Sequence, residues 1–284
     1  MDLYHFSPAD TTDKIMEAGV KKSNYSVFRM ILLGILGGAF IAFASEGSNT
    51  AIHTIASVGV GKALAGALFS TGLMMVVISG AELFTGNVLM IMSFAGKKIS
   101  AFGLLKSWFW VYIGNFIGSM IIVFLILFSG QFGFSAGMLG GFTIKVAAYK
   151  TNLTFLNAFS MGILCNWLVC MAVWMAASAK DITGKLFAIF FPIWLFITSG
   201  FEHSVANMYY IPAGIFAKAN PVFLKQALAL GVKEKALDKL NWEGFFVSNL
   251  LPVTLGNIVG AIVFVGMIFW ISHRKEINKK AGQV

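Results

Sequence analysis

Two stretches decide the fold: Ser79-Gly80-Ala81-Glu82-Leu83-Phe84-Thr85-Gly86-Asn87 and Ser199-Gly200-Phe201-Glu202-His203-Ser204-Val205-Ala206-Asn207. Each reads SGxE, four residues, then Asn, and each interrupts a long apolar run. A second pair keeps the same order: Gly114-Asn115-Phe116-Ile117-Gly118 follows the first copy, and Gly256-Asn257-Ile258-Val259-Gly260 follows the second. Working outward, apolar runs fall at roughly 27–44, 62–94, 104–128, 155–177, 184–217 and 245–271. Each is near or above the about 20 residues that cross a bilayer. Three spans per half is an odd number, so the two halves must cross the membrane in opposite directions, as in the inverted repeats of transport folds. The fold class expected is an all-α integral membrane protein, with six transmembrane helices in two inverted three-helix repeats and helices 2 and 5 broken. The chain divides into an amphipathic N-terminal segment (1–25), a membrane domain (26–272) and a C-terminal tail (273–284).

Composition agrees. Of 284 residues, 58% are hydrophobic and only 12% charged, too few charges for the surface of a soluble domain. The net charge of +9 follows from lysines held in loops. No basic stripe with interleaved aromatics points to nucleic acid. Cys165 and Cys170 form no CxxC pair and read as small packing residues. The polar start shows no cleavable signal peptide. No HExxH, Walker loop or GxSxG is present, so neither an enzyme constellation nor a metal or cofactor site is expected.

Basic residues set the orientation. Lys14, Lys21, Lys22, Arg29, Lys97, Lys98, Lys106, Lys180, Lys185, Arg274, Lys275, Lys279 and Lys280 outnumber Lys62, Lys145, Lys150, Lys218, Lys225, Lys233, Lys235 and Lys239. This favours both termini in the cytoplasm. The 218–243 connection is expected to hold a short amphipathic helix. The scarcity of arginine points to a low-GC bacterial source, and so to a bacterial plasma membrane.

A broken helix frees backbone N–H and C=O groups, which survive at depth only inside protein or beside a wet cavity. Each break brings a glutamate and an asparagine, Glu82 with Asn87 and Glu202 with Asn207, suited to partner the freed backbone. Pore chemistry is the other reading of the two glutamates. His203 is the one histidine inside a spanning stretch. It reads either as a proton-relaying pore group or as a structural histidine bonded to a carbonyl. Thr85, in the other break, can pass a hydrogen bond between a substrate and His203. Lys150, in the loop before the fourth span, reads as an anion-attracting vestibule charge or as an interfacial lysine.

With these residues in view, the chain resembles the formate/nitrite transporter family from about residue 24 to residue 272. The specific pieces are AELFTGN at 81–87, LCNWLVCMAVWMA at 164–176 and SGFEHSVANMYYIPAG at 199–214. The resemblance implies an aquaporin-like protomer in a homopentamer, one pore per protomer, with a mobile loop at the first break. It implies His203 as the central pore histidine, Thr85 as the threonine facing it, Asn166 in the central polar network and Lys150 in the outer vestibule. Leu73, Leu83 and Phe84 match the cytoplasmic-side constriction, and Phe69, Val169 and Phe196 the outer one.

The function so implied is passage of a small monovalent weak-acid anion: formate, nitrite or hydrosulfide. A bare anion pays a large desolvation cost in an apolar constriction, whereas the neutral acid does not. The expected partners are that anion, protons, the lipid bilayer and further copies of the chain. Two other classes stand beside it. An intramembrane hydrolase would need a nucleophile paired with His203, from Ser204 or Thr85. A non-conducting sensor or scaffold would leave two broken helices unexplained.

Overall fold

The computed structural model describes residues 5–280 and 282. Within them the regular structure is helical, apart from one isolated bridge between His5 and Ala179. An amphipathic helix α1 (Pro8–Ser23) precedes the first span, α2 (Val27–Ile52). The second span is α3 (Val58–Ser79), a break, then the short α4 (Phe84–Asn87) and α5 (Ile91–Ala95); α6 (Ala101–Ser129) is the third. A further helix, α7 (Met138–Thr151), leads into the fourth span, α8 (Phe155–Ser178). The fifth is α9 (Ile182–Ser199), a break and α10 (Ser204–Ala217). The 218–243 connection holds α11 (Pro221–Ala229) and α12 (Glu234–Asp238). The sixth span runs without a break from Gly244, through α13 (Leu251–Ala261) to α14 (Met267–Lys280), with two π-helical stretches on the way. Six of these helices are long and apolar enough to cross a membrane.

Both breaks are shorter than their sequence suggests. Gly80 and Gly200 adopt the left-handed conformation at φ 75° and stop their helices. The next amides reach back across the last turn, Ala81 to the Val76 carbonyl at 3.1 Å and Phe201 to that of Phe196 at 3.2 Å. This is a Schellman stop, which glycine adopts without Cβ strain. The chain is irregular only over 80–83 and 200–203, and helix resumes at Phe84 and Ser204.

Three boundaries differ from expectation, each for a local reason. The first span continues to Ile52 through the polar Ser45–Asn49 stretch because Ser45 and Ser48 return their hydroxyls to the Ile41 and Ala44 carbonyls. Helix α7 hides behind a glycine-rich lead-in; Gly140 and Gly141 lie where a Cβ would collide with Phe223 and Gln226 of α11. The last helix outruns its apolar stretch, so the segment read as a C-terminal tail begins inside α14.

Close helix crossings repeat in the two halves. On the α2–α6 crossing, a Cβ on Gly38 would stand 2.0 Å from the Asn115 carbonyl oxygen, and one on Gly118 2.0 Å from that of Ile35. On the α8–α13 crossing, Gly256 and Gly260 approach the Phe159 and Ile163 carbonyls at 2.2 and 2.3 Å in the same sense. Small residues let the backbones meet where lipid supplies no hydrophobic drive for helix association. Gly38→Leu is therefore expected to force α2 from α6 and lose about 3 kcal/mol or more. Gly47→Leu, where a Cβ meets nothing within 4 Å, should be tolerated. Thermal unfolding of both variants in detergent checks this; equal stability would contradict the packing.

Candidate functional site

The two breaks meet. Asn115 of α6 and Asn257 of α13 hold them in matching ways. The Asn115 side-chain oxygen accepts the Phe84 amide at 2.9 Å, and its nitrogen donates to the Glu82 and Gly34 carbonyls at 2.9 and 2.7 Å. The Asn257 oxygen accepts the Ser204 amide at 2.9 Å, and its nitrogen donates to the Glu202 and Gly162 carbonyls at 3.0 and 2.8 Å. One side chain per half thus pairs the last carbonyl region of a stopped helix with the first amide of the next. Both asparagines are fully buried.

The glutamates do something other than expected. The Glu82 carboxylate accepts from Asn87 Nδ2 at 2.6 Å and lies 3.1 Å from Lys22 Nζ, which also donates to Asn87 Oδ1 at 2.6 Å. The Glu202 carboxylate accepts from Asn207 Nδ2 at 2.7 Å and from Lys150 Nζ at 2.7 Å. Asn249 joins the second cluster, donating to Glu202 Oε2 at 3.1 Å and to the Lys150 carbonyl at 3.0 Å. Each carboxylate is thus neutralised by one lysine and braced by asparagine, one at Glu82 and two at Glu202, while the freed backbone is left to Asn115 and Asn257.

Lys150 is on the last turn of α7, not in a loop, and is only 9% exposed. That burial and its ion pair with Glu202 distinguish it from an interfacial lysine. Lys22 is its counterpart in the other half, on the last turn of α1. A sequence signal for this was available. Lys22-Ser23-Asn24-Tyr25-Ser26 and Lys150-Thr151-Asn152-Leu153-Thr154 share Lys, hydroxyl, Asn, any residue, hydroxyl. Ser26 and Thr154 each cap the following span, accepting from Arg29 and Asn157 amides. The repeat unit is therefore four elements, a leading helix plus three spans.

At the centre, Thr85 Oγ1 lies 2.8 Å from His203 Nε2, and both residues are buried. His203 also caps α10: its Nδ1 accepts the Ala206 amide at 3.1 Å. An atom accepting an N–H carries its lone pair, so the proton of the neutral ring sits on Nε2 and is donated to Thr85. Charging the ring would place a second proton on Nδ1, facing the Ala206 N–H. The Thr85 carbonyl is held in turn by Asn166 Nδ2 at 3.2 Å and Cys170 Sγ at 3.4 Å, and Asn166 also donates to the Asn257 carbonyl at 2.8 Å. Cys170 thus donates as well as packs; both cysteines are free and buried. The Ser204 hydroxyl has no hydrogen-bond partner, so it forms no nucleophile–base pair with His203.

Buried apolar side chains pack around this centre. Phe69 and Phe196 meet edge to face with centroids 5.6 Å apart, and the Phe196 ring is 6.0 Å from that of His203. Val169 lies one turn along α8 from Asn166. Phe84 packs edge-on to Tyr112 at 4.7 Å, and Leu73 and Leu83 share the core with it. None of the six residues is more than 4% exposed.

This arrangement has close relatives. A family model described as formate/nitrite transporter matches residues 9–271. The chain is 40% identical over 265 residues to the formate channel FocA of Haemophilus influenzae, covering 92% of each. It is 36% identical over 273 residues to the formate channel FocA of Escherichia coli K12, covering 95% of each. Among solved structures, a pentameric formate channel with formate bound superposes with a TM-score of 0.79 at 41% identity, over 87% of this chain and 98% of that one.

The asparagine pair generates a prediction. Asn115→Leu or Asn257→Leu removes three hydrogen bonds and strands three backbone groups at depth. Each should cost about 3 kcal/mol or more, a fall of roughly 6 °C or more in Tm. Unfolding in detergent within about 2 °C of the parent would contradict the role given to them.

Proposed function

This chain belongs to the formate/nitrite transporter family, a multi-pass membrane transport protein and not an enzyme, and from that premise we propose that it conducts a small monovalent weak-acid anion, with formate foremost. The observation that carries the reading is the Thr85–His203 hydrogen bond, made between the two broken helices and flanked by six dry apolar side chains. Formate is named first because the relatives above are described as formate channels; nitrite and hydrosulfide share its charge, size and weak-acid chemistry. The pentameric formate channel among the relatives supports a homopentamer, the lysine distribution supports both termini in the cytoplasm, and the bacterial relatives support a bacterial plasma membrane.

The mechanism follows from cost. Moving an unpaired ion from water into an apolar layer costs on the order of tens of kcal/mol by Born solvation, and a formate anion finds no compensating cation at Phe69, Val169 and Phe196. The neutral acid pays only for its polar groups. We infer that the anion gathers in a vestibule, takes a proton from water there, crosses as the acid and ionises again beyond. Lys150 and Lys22 bear on the two vestibules as members of neutral clusters, with Glu202 and Glu82. His203 offers a fixed Nε2–H and, through it, orients the Thr85 hydroxyl to donate to the passing acid. It keeps the same proton throughout, because its other nitrogen is committed to the α10 cap.

Stopped-flow flux into vesicles carrying the purified protein tests this. Formate, nitrite and hydrosulfide should pass, and flux should rise as pH falls toward the substrate's own acid equilibrium. Sulfate, with two charges to neutralise, should not pass. His203→Asn, which can still accept the Ala206 amide and donate to Thr85, should keep the wild-type pH profile, whereas His203→Phe should lower flux for every substrate. Sulfate flux comparable to formate flux would overturn the reading. A flattened pH profile in His203→Asn would return the relaying proton to the imidazole.

A further inference from the structure

We propose that Lys62, to which the site described above gives no part, is the free positive charge that concentrates anions at the outer mouth; the proposal rests on the reading of the chain as an anion conductor. Helix α3 carries two residues of the dry layers, Phe69 and Leu73. At 3.6 residues per turn, seven and eleven residues are each within roughly 20° of whole turns. Lys62 therefore shares the face of Phe69 and Leu73, about 10 Å along the axis from Phe69. The opposite face, with Val60, Leu64, Thr71, Met75 and Ile78, is exposed and otherwise largely apolar, as a face toward lipid or a neighbouring subunit would be.

Phe69 and Leu73 are buried on that inward face, yet Lys62 on the same face is exposed. An inward position open to solvent is a vestibule position. Its surroundings agree. Thr198 Oγ1 donates to the Lys62 carbonyl at 3.5 Å, and a Cβ placed on Gly200 would lie 3.1 Å from Lys62 Nζ. The ammonium thus hangs over the end of α9, four residues past Phe196, at the entrance to the second break. The unpaired carbonyls of a helix C-terminus attract a cation there.

What separates Lys62 from Lys150 is its partner. Lys150 is buried and bound to Glu202 at 2.7 Å, so the pair presents little net charge. Among the described residues, no carboxylate pairs with Lys62. One unit charge about 8 Å from an entering anion, in a water-like dielectric, raises its local concentration roughly 2.4-fold, and the effect fades as salt shortens the Debye length. A full charge reversal doubles the exponent, to roughly sixfold.

The experiment is formate flux at low substrate in vesicles carrying wild type, Lys62→Arg, Lys62→Gln or Lys62→Glu, at ionic strengths from about 20 to about 500 mM set with potassium gluconate. At the low end Lys62→Gln should fall about twofold and Lys62→Glu about sixfold, with Lys62→Arg near wild type. At the high end the four should converge. Wild-type flux in all variants at every salt would overturn the proposal. An equal loss at all salts would also overturn it, since it would mark Lys62 as a prop for α9 rather than a field source. An absence of wild-type flux would instead bring down the anion-conducting reading itself, and this proposal with it.

Discussion

Two buried side-chain amides, Asn115 and Asn257, make the rest of the structure possible. A helix that stops inside a membrane exposes backbone groups that lipid cannot satisfy, at several kcal/mol each. Each asparagine has one acceptor and two donor hydrogens, and each spends them on the same three kinds of partner: a restarting amide, the carbonyl of the break's glutamate and a carbonyl on the neighbouring span. With the breaks satisfied, two irregular segments can sit at depth and face each other. Only then can a threonine of one half touch a histidine of the other.

The charges follow the same economy of design. Both break glutamates are buried, and a buried carboxylate without a partner is strongly destabilising. Each half supplies one lysine from the helix ahead of its first span, so charge is neutralised within the repeat. The consequence is a centre with no net ion near the Thr85–His203 contact. A neutral centre among buried apolar side chains suits the neutral solute proposed above.

The fold was legible from its punctuation. The Ser-Gly pairs at 79–80 and 199–200 stop helices for a reason that belongs to glycine alone, and their recurrence reveals the inverted halves. His203 and Thr85 could be singled out because polar groups at depth are costly. The role of Asn115 and Asn257 was not legible: they stood out only as part of a repeated GNxxG pattern whose glycines serve helix approach. Their hydrogen bonds join segments far apart in sequence, which no local pattern encodes. Lys22 was hidden because α1 is polar and reads as a tail; its likeness to Lys150 emerges only when the two halves are laid over one another. The length of α2 escaped because Ser45, Ser48 and Glu46 look like a helix end, while the structure turns their polar atoms inward onto Ile41, Ala44 and Tyr209.

The central claim is that the solute carries no charge where the pore is dry. The most direct measurement is formate uptake into vesicles whose membrane potential is set by a potassium gradient and valinomycin, at constant pH. Uptake should be the same at zero, inside-positive and inside-negative potentials, because a neutral acid does no electrical work. An initial rate that climbs with inside-positive potential and falls with inside-negative potential would show a bare anion crossing, and would contradict the account.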